Sequence, residues 1–178
     1  MEQIIIVDED DNFIGEEDKE KCHEGGGILH RAFLAMVFNK KGEILLARRS
    51  AGKKLWPDYW DGTVASHLFK FENYEQASRR RLYEEIGLIA VNVKYLLKFR
   101  YQARYQDIGS ENEICAVLSV EAESNMIFPN REEISETEFL HPDKIISRWS
   151  GNSQMYTPWL MLALEKMYSL NYFQVVQG

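Results

Sequence analysis

Histidine and glutamate side chains of the kind that bind divalent metals are spread along this chain. Five of them are His23, His30, His67, Glu111 and Glu113. A second acidic group, Glu72, Glu84 and Glu85, lies in and just before a segment with helical spacing. Carboxylates at that spacing can hold Mg²⁺ against the oxygens of a diphosphate. These residue types suggest a metal-dependent enzyme that acts on a diphosphate.

The acidic segment has the marks of an α-helix over residues 74–86. Asn73 is a typical N-cap residue, and Gln76 three positions later completes a capping-box pattern. Gly87 stands where helices often end in a left-handed conformation. The apolar positions within the segment are Ala77, Leu82 and Ile86. One narrow apolar stripe predicts a helix that packs on a sheet.

Apolar and β-branched runs predict strands before and after this helix. Residues 32–38 and 44–47 flank a turn signal that ends at Gly42, which predicts a hairpin. Residues 93–101 and 114–120 are separated by a polar loop, and we expect these two strands to pair.

The end of the chain predicts one more helix. Pro158 is tolerated in a first helical turn, and Leu160, Leu164 and Met167 are spaced for a buried face. No repeat or linker divides the 178 residues, so we expect a single domain over residues 1–178. Together the elements predict an α+β domain with one mixed β-sheet sandwiched between α-helices.

Composition narrows the classes of partner. With 45% hydrophobic and 28% charged residues the chain is typical of a globular protein, and no apolar run approaches the length of a membrane span. A net charge of -7 opposes binding to nucleic acid or to an anionic membrane, because an acidic surface gains nothing from counterion release. The N-terminus lacks the features of a signal peptide, and Cys22 and Cys115 are too few for a disulfide framework. We therefore expect reduced thiols and a cytoplasmic protein.

Residues 66–88 resemble the Nudix box. The matching positions are Glu72, Arg80, Glu84, Glu85, Gly87 and Leu88. Ser66 replaces the first glycine of the box, and Arg81 replaces its first helical glutamate. An arginine at that position could pair with phosphate through its planar donors. An exposed pair between Arg81 and Glu85, four residues apart, is an equally good interpretation of this position alone.

Over nearly its full length the chain resembles one Nudix branch, the type I isopentenyl-diphosphate isomerases. The matching stretches are residues 30–33, 48–50, 56–60, 99–101, 111–113 and 158–159. That branch also lacks the acid at position 81, so the resemblance accounts for Arg81. It implies a Nudix-like fold and metal-dependent isomerisation of isopentenyl diphosphate to dimethylallyl diphosphate, or a diverged relative that acts on a small diphosphate.

The resemblance implies two metal sites. The residues that match ligands of a tightly bound metal are His23, His30, His67, Glu111 and Glu113. Three imidazoles and two carboxylates suit Zn²⁺, Mn²⁺ or Mg²⁺, and the histidines favour zinc. Glu85 matches a ligand of a second metal, Mg²⁺, that arrives with the substrate. A lone histidine is more often structural, but of the four histidines in this chain only His141 falls outside the set.

The resemblance also implies how the substrate is held and converted. The cationic residues that match diphosphate contacts are Lys19, Arg49, Lys53 and Arg81. Glu113, with Tyr101 hydrogen-bonded nearby, matches an acid on one face of the substrate. Trp159 matches an aromatic ring whose π face stabilises a tertiary cation. Each basic residue alone is more often a solvated surface charge, so the set counts only together with the metal ligands.

The family has a cysteine where this chain has Ala65. Alanine carries no titratable proton, so half of the acid–base pair is missing unless water, Ser66 or a displaced thiol replaces it. Ser66 is a poor replacement, because an unactivated hydroxyl is a weak acid and base at neutral pH. Cys22 adjoins His23, but a buried and inert thiol is the commoner case for such a residue.

Two alternatives to an isomerase stay open on the sequence alone. The first is a Nudix diphosphate hydrolase that uses Glu72, Glu84 and Glu85 around Mg²⁺. The second is a non-catalytic protein that binds a metal and a diphosphate without turnover. In each case the expected partner is a small diphosphate, with no nucleic acid and no membrane, and the oligomeric state is left open.

Overall fold

The residues that the computed structural model describes, 2–122, 126–152 and 155–173, form strands and helices in a mixed order. The strands are β1 (Gln3–Val7), β2 (Phe13–Asp18), β3 (His30–Val37), β4 (Ile44–Arg49), β5 (Trp60–Asp61), β6 (Val64–His67), β7 (Ala90–Tyr105), β8 (Gly109–Ala122) and β9 (Ile134–Leu140). The helices are α1 (Lys19–Cys22), α2 (Tyr74–Ile86), α3 (Pro142–Gly151) and α4 (Pro158–Ser169). None of these helices is long and apolar enough to cross a membrane.

The strands divide between two sheets. Six strands form a mixed sheet in the order β2-β1-β3-β8-β7, with β6 also paired to β3. Within it β3 and β8 run parallel, while the other pairs are antiparallel. The second sheet has the order β5-β4-β9 and is antiparallel throughout. The α+β class is confirmed, but the strands form two sheets where one was expected.

The predicted hairpin around Gly42 is wrong in its pairing. Strands β3 and β4 both form, and the turn closes through a 3.0 Å hydrogen bond from the Gly42 amide to the Asn39 carbonyl. Beyond it a single bridge, Phe38 to Ile44, joins the two segments. Strand β3 then pairs with β8 and β6, and β4 pairs with β5 and β9. The partners that separate them are distant in sequence, so the local turn signal could not predict this division.

Helix α2 has the predicted bounds and caps. The Asn73 side chain accepts a hydrogen bond from the Gln76 amide at 2.9 Å, and the Gln76 side chain accepts one from the Asn73 amide at 3.0 Å. Gly87 ends the helix with φ 66°, a left-handed conformation that glycine adopts without strain. Ala77, Leu82 and Ile86 are buried as expected.

The central strands are covered on both faces by apolar side chains. Alternate residues of β3 belong to two clusters: Leu34 packs with α4 residues such as Leu160, whereas Phe33 packs with α2 residues such as Leu82. A strand buried on both faces reads as a continuous apolar run, which is the pattern of residues 32–37. The predicted placement of the sheet between helices is confirmed, and the rigid centre carries the residues described next.

Candidate functional site

A cavity of about 490 Å³ opens beside the central strands. This volume is within the range of pockets that hold small organic ligands. Its wall includes His23, His67, Glu111, Glu113, Lys19, Arg49, Lys53, Arg81, Tyr101, Trp159 and Ala65. Among the described residues that the isomerase resemblance assigns to the site, His30 and Glu85 are absent from this wall. His30 is fully buried, and Glu85 lines a smaller cavity that shares Arg49, Lys53 and Ala65 with the larger one.

Strand register brings the candidate metal ligands together. In the parallel pair His30 of β3 lies opposite Glu113 of β8, and Tyr101 of β7 lies opposite Glu113 on its other side. His67 enters from β6, where it pairs with Ala32. Residues opposite one another across strands point to the same face. The sheet therefore places three candidate metal ligands, His30, His67 and Glu113, on neighbouring strands.

His23 reaches the same place from the end of α1. Its carbonyl accepts a 3.0 Å hydrogen bond from the amide of Ser110 at the start of β8. A Cβ atom at Gly109 would lie 2.5 Å from that carbonyl oxygen, so this close approach requires a glycine. The short helix is thereby attached to the tip of the β7–β8 hairpin, next to Glu111.

The five side chains converge around one point. One ligand atom from each of His23, His30, His67, Glu111 and Glu113 can be chosen so that all lie within 4.8 Å of one another. Nε2 of His30 lies 3.2 Å from Nε2 of His67 and 3.3 Å from Oε1 of Glu113. Nε2 of His23 lies 2.9 Å from Oε2 of Glu111. All five side chains are buried. This is the geometry of a possible metal-binding group.

Hydrogen bonds outside the cluster determine which nitrogens face its centre. Nδ1 of His23 lies 2.6 Å from the Lys19 carbonyl, and Nδ1 of His30 lies 2.7 Å from the Ile28 carbonyl. A carbonyl can only accept, so each Nδ1 carries the hydrogen and each Nε2 of the neutral ring presents a lone pair. Metal-binding histidines are commonly oriented in this way by backbone carbonyls.

The ligand atoms of this cluster are arranged to surround a cation, because they are poorly paired with one another. The lone pair of the His30 Nε2 faces nitrogen and oxygen atoms at 3.2 and 3.3 Å. Among the described residues, Oε2 of Glu111 and Nδ1 of His67 are buried without a hydrogen-bond partner. Buried lone pairs that face one another are unfavourable unless a cation or proton lies between them. The donor set suits a divalent metal with mixed nitrogen and oxygen ligands.

Burial and neighbouring charges set the protonation of the cluster. Burial lowers the pKa of His67 well below its ordinary value, and the nearby His30 and His23 lower it further, which favours the neutral ligand form. Burial acts to raise the pKa of Glu113, but its contacts with His30 and Tyr101 outweigh burial and lower it. Burial also opposes protonation of His23, yet the adjacent Glu111 carboxylate raises its pKa overall.

Cationic side chains line the same cavity. Lys19 pairs with Glu2 at 3.0 Å, and Lys53 pairs with Glu133. Nη2 of Arg81 lies 2.6 Å from Oε1 of Glu85, so the pair that the sequence left open does form, but in a largely buried setting. Burial opposes the charge of Arg81, and the carboxylates around it raise its pKa overall. Lys19, Lys53 and Arg81 therefore share one cavity, and each is paired with an acidic side chain. The fourth predicted cation, Arg49, lies in the same cavity.

Arg49 is held by a residue that the sequence interpretation missed. Its Nη1 lies 3.3 Å from Oδ2 of Asp61, and its Nε and Nη2 donate to the carbonyls of Trp56 and Leu55 at 3.0 and 2.9 Å. Its guanidinium also lies 5.4 Å from the centroid of the Trp159 ring. Asp61 is buried, and burial raises its pKa although Arg49 opposes the shift. No motif marked Asp61, and its partner Trp159 lies 98 residues away in sequence.

The deep end of the cavity combines an acid, a phenol and an indole. The Tyr101 hydroxyl donates a 2.6 Å hydrogen bond to Oε2 of Glu113. Burial and the Glu113 charge raise the pKa of Tyr101 well above its ordinary value, so the phenol remains a donor. The ring of Trp159 lies 6.1 Å from that of Tyr101 and packs edge-on against Trp56 at 5.1 Å. The predicted neighbours Glu113, Tyr101 and Trp159 are thus brought together.

Ala65 lies in the wall of this cavity. It is on β6 at the position two before His67, and the alternation of a strand places both side chains on the same face. Of the two cysteines, Cys115 borders the cavity, while Cys22 is absent from its described wall. Cys22 is buried, and burial raises its pKa to about 11. The structure therefore does not bring Cys22 to the position opposite Glu113.

Comparison with known proteins identifies the family. A family model described as the NUDIX domain matches residues 28–160. The Isopentenyl-diphosphate Delta-isomerase of Haloarcula marismortui is 34% identical over 169 residues, 93% of this chain and 90% of that protein. Isopentenyl-diphosphate Delta-isomerase 1 of Photorhabdus laumondii is 35% identical over 160 residues, 89% of this chain and 90% of that protein. The chain belongs to the isopentenyl-diphosphate isomerase branch of the Nudix family.

Solved structures agree with a Nudix fold. A crystal structure from Deinococcus radiodurans superposes with a TM-score of 0.74 at 21% identity and covers 94% of this chain and 99% of that one. The MutT protein of Methanosarcina mazei superposes with a TM-score of 0.66 at 18% identity, covering 80% and 95% of the two chains. At these identities the likeness concerns the fold alone.

The Nudix box has an altered acidic face in this chain. Arg80 holds Glu72 through two contacts, Nε to Oε1 at 2.6 Å and Nη2 to Oε2 at 2.8 Å. Glu84 is exposed and lies 3.0 Å from Nη1 of Arg81. Of the three box glutamates, only Glu85 is buried, and it lines the smaller cavity. The box therefore offers one buried carboxylate, paired with an arginine, where the hydrolase alternative needs an acidic cluster.

Proposed function

We propose that this protein catalyses the metal-dependent isomerisation of isopentenyl diphosphate to dimethylallyl diphosphate. The observation that carries the proposal is the hydrogen bond between Tyr101 and Glu113 at the edge of the five-residue cluster, in the cavity that also holds the cationic set. Relatives that are named isopentenyl-diphosphate isomerases support it. We also propose that residues 1–178 form a single domain.

Two metal positions belong to the proposal. The ligands of the tightly bound metal are His23, His30, His67, Glu111 and Glu113, with Zn²⁺ favoured over Mn²⁺ or Mg²⁺ by the three imidazoles. Glu85 would hold the Mg²⁺ that enters with the substrate. Its Oε1 is buried beside Nη2 of Arg81 at 2.6 Å, so it already faces a cationic partner. When bound, the metals fix Glu113 and neutralise the charge of the diphosphate.

The cavity orients the substrate by charge. Lys19, Arg49, Lys53 and Arg81 bind the diphosphate oxygens, and Arg49 and Arg81 supply planar pairs of N–H donors. The hydrocarbon end then lies among Tyr101, Trp159 and Leu55. Holding the charged end at fixed cations places the reacting carbons beside Glu113 and removes much of the entropy loss from the reaction step.

The reaction moves one double bond by one position. Glu113 takes up a proton from solvent and gives it to C4 of isopentenyl diphosphate, which becomes the new methyl group, and positive charge forms at C3. Tyr101 donates to the Glu113 carboxylate throughout and stabilises the charge left on it. The π face of Trp159 stabilises the tertiary cation. Loss of a proton from C2 to water forms the new double bond, so one proton is taken from solvent and one is returned to it, and atoms and charge balance.

Ala65 leaves the opposite wall without an acid–base group. The proton from C2 therefore passes to a water molecule in the cavity, and we expect turnover to be slow compared with a protein that has a thiol there. The partly buried pairing of Glu72 with Arg80 and the cation at Arg81 both oppose the hydrolase alternative, because that chemistry needs carboxylates free for Mg²⁺.

The test is an assay of the purified protein with isopentenyl diphosphate and Mg²⁺, in which dimethylallyl diphosphate and released phosphate are both measured. Glu113→Gln and Tyr101→Phe are expected to reduce product, whereas Glu121→Gln, an exposed carboxylate on the same strand, is the matched control. Metal content is measured for each variant. Phosphate release without isomer would indicate a hydrolase, and binding without any product would indicate a non-catalytic protein.

A further inference from the structure

Glu133 forms ion pairs with two of the four cations that the proposed function assigns to the diphosphate. Its carboxylate pairs with Lys53, and its Oε1 lies 3.4 Å from Nη2 of Arg81. The side chain is 26% exposed, and Glu133 lines the smaller cavity. In the sequence it follows Arg131 and Glu132 and reads as part of an ordinary charged loop.

Hydrogen bonds to backbone carbonyls hold the loop of residues 130–133 against the end of α2 and the end of β4. The Asn130 amide donates to the Glu85 carbonyl at 2.8 Å, and the Ser50 amide donates to the Glu133 carbonyl at 2.9 Å. The Ser50 hydroxyl also donates to the carbonyl of Glu132 at 2.6 Å. The loop is therefore attached to the end of α2 and to the end of β4, which fixes Glu133 relative to Glu85.

Glu85 and Glu133 line one small cavity of about 20 Å³, together with Ala65 and Lys53. That volume is enough for one water molecule or one small ion. Both carboxylates contact the same nitrogen, Nη2 of Arg81, at 2.6 Å from Glu85 and 3.4 Å from Glu133. Glu85 is 5% exposed, and its Oε1 receives no hydrogen bond among the described residues despite the ion pair.

The charges in this group balance only while the diphosphate is absent. Two carboxylates, Glu85 and Glu133, then face two cations, Arg81 and Lys53. A diphosphate that takes the cations as partners would leave two neighbouring carboxylates without compensation, which is costly for one buried and one partly buried charge. Mg²⁺ binds carboxylate and phosphate oxygens together and would restore the balance.

We propose that Glu133 is a second protein carboxylate, beside Glu85, for the Mg²⁺ that arrives with the diphosphate. Before the substrate arrives, Lys53 and Arg81 hold Glu133 in place. This inference rests on the proposed function only in taking a metal–diphosphate as the ligand. As a ligand of Mg²⁺, Glu133 would strengthen diphosphate binding only when Mg²⁺ is present. As a simple competitor, it would occupy Lys53 and Arg81 and weaken diphosphate binding with or without Mg²⁺.

The experiment measures how strongly Mg²⁺ improves diphosphate binding. Protein with its five-residue site loaded with Zn²⁺ is titrated calorimetrically with inorganic pyrophosphate, with and without Mg²⁺. We expect Mg²⁺ to strengthen binding to the unaltered protein at least about tenfold. Glu133→Gln should reduce that enhancement to about threefold or less, and Glu132→Gln, its exposed neighbour, should leave it unchanged.

A second readout reports the metal directly. Electron paramagnetic resonance counts the Mn²⁺ ions that bind in place of Mg²⁺ when pyrophosphate is present. Glu133→Gln should weaken this Mn²⁺ binding, whereas Glu133→Asp, which keeps the carboxylate, should retain most of it. Thermal melting of both variants separates a loss of binding from a loss of folding, and Glu133→Ser takes the place of the glutamine variant if that variant does not fold.

Each outcome bears on the inference separately from the proposed function. A full Mg²⁺ enhancement in Glu133→Gln, together with its loss in Glu85→Gln, would overturn the role of Glu133 and leave the proposed function intact. Tighter pyrophosphate binding in Glu133→Gln both with and without Mg²⁺, at an unchanged ratio, would identify a competitor and overturn the inference. Absence of any enhancement in the unaltered protein would overturn the roles of both carboxylates.

Discussion

The indole N–H of Trp159 donates a 2.8 Å hydrogen bond to Oδ1 of Asp61, although 98 residues separate the two. The other oxygen of the same carboxylate lies 3.3 Å from Nη1 of Arg49. Thr157 donates a further 3.0 Å hydrogen bond to Oδ1. One buried carboxylate thus fixes an aromatic ring at the deep end of the cavity and a cation at the diphosphate end.

Asp61→Asn is expected to disturb both ends of the cavity. The amide keeps the shape, but its NH2 group replaces one of the two acceptor oxygens, so either Trp159 or Arg49 loses its acceptor, and the negative charge beside Arg49 is removed. We expect a loss of about 1–3 kcal/mol of stability and an increase in KM together with a decrease in kcat. Urea unfolding and steady-state kinetics measure these effects. Asp58→Asn, an exposed aspartate three residues earlier, is the control, and equal values for both variants would contradict the positioning role.

Removal of metal is expected to destabilise the fold. The buried donors of His30, His67 and Glu113 face one another, so without a cation they must take up a proton or separate. A ligand that binds only the folded state stabilises it, and chelation should therefore lower Tm. His67→Ala should abolish tight metal binding, measured as metal per chain, while His141→Ala, a partly exposed histidine outside the cluster, should not. An unchanged Tm on chelation would contradict a metal in this cluster.

Ala65→Cys is expected to raise the rate of isomerisation. A thiol at this position borders the cavity on the side where the proposed mechanism lacks an acid–base group. General acid–base catalysis commonly contributes about a hundredfold or more, and we expect kcat to rise at least about tenfold. Ala65→Ser is the control for size and polarity. Equal kcat values for the cysteine variant and the unaltered protein would indicate that the proton from C2 leaves by another route.

The pairing of Glu72 with Arg80 predicts a pH-dependent contribution to stability. The hydrogen bond from Arg80 lowers the pKa of Glu72, so the carboxylate is stabilised in the folded state. Its contribution is full above the ordinary pKa of a glutamate, about 4.3, and disappears as the pH falls through the lowered value. Glu72→Gln should cost about 1 kcal/mol at neutral pH and approach no cost once the pH has fallen below the lowered pKa of Glu72. Glu75→Gln, an exposed glutamate of the same helix, should change stability less at both pH values.

Local signals in the sequence were enough to predict some elements fully. The Asn73 cap, the Gln76 contact and the left-handed Gly87 depend on neighbours within one turn, and α2 has the predicted bounds. The pairing of β7 with β8 also follows from two adjacent β-rich runs joined by a short loop. Such features are determined by residues close together in the chain.

Features that depend on distant partners were missed. The division of β3 and β4 between two sheets depends on β8 and β9, which lie far along the chain. No sequence signal marked Asp61 or Glu133, and their partners Trp159 and Lys53 are 98 and 80 residues away. The candidate site could be predicted where a family motif marked the residue, while its supporting contacts required the fold.

The most direct test of the central claim is incubation of the metal-loaded protein with isopentenyl diphosphate and Mg²⁺ in deuterated water, followed by nuclear magnetic resonance of the products. We predict dimethylallyl diphosphate with deuterium in the new methyl group, formed by proton transfer to C4, and much less of it with Glu113→Gln. Neither product nor deuterium in the recovered substrate, from a protein shown to contain its metal, would contradict isomerisation.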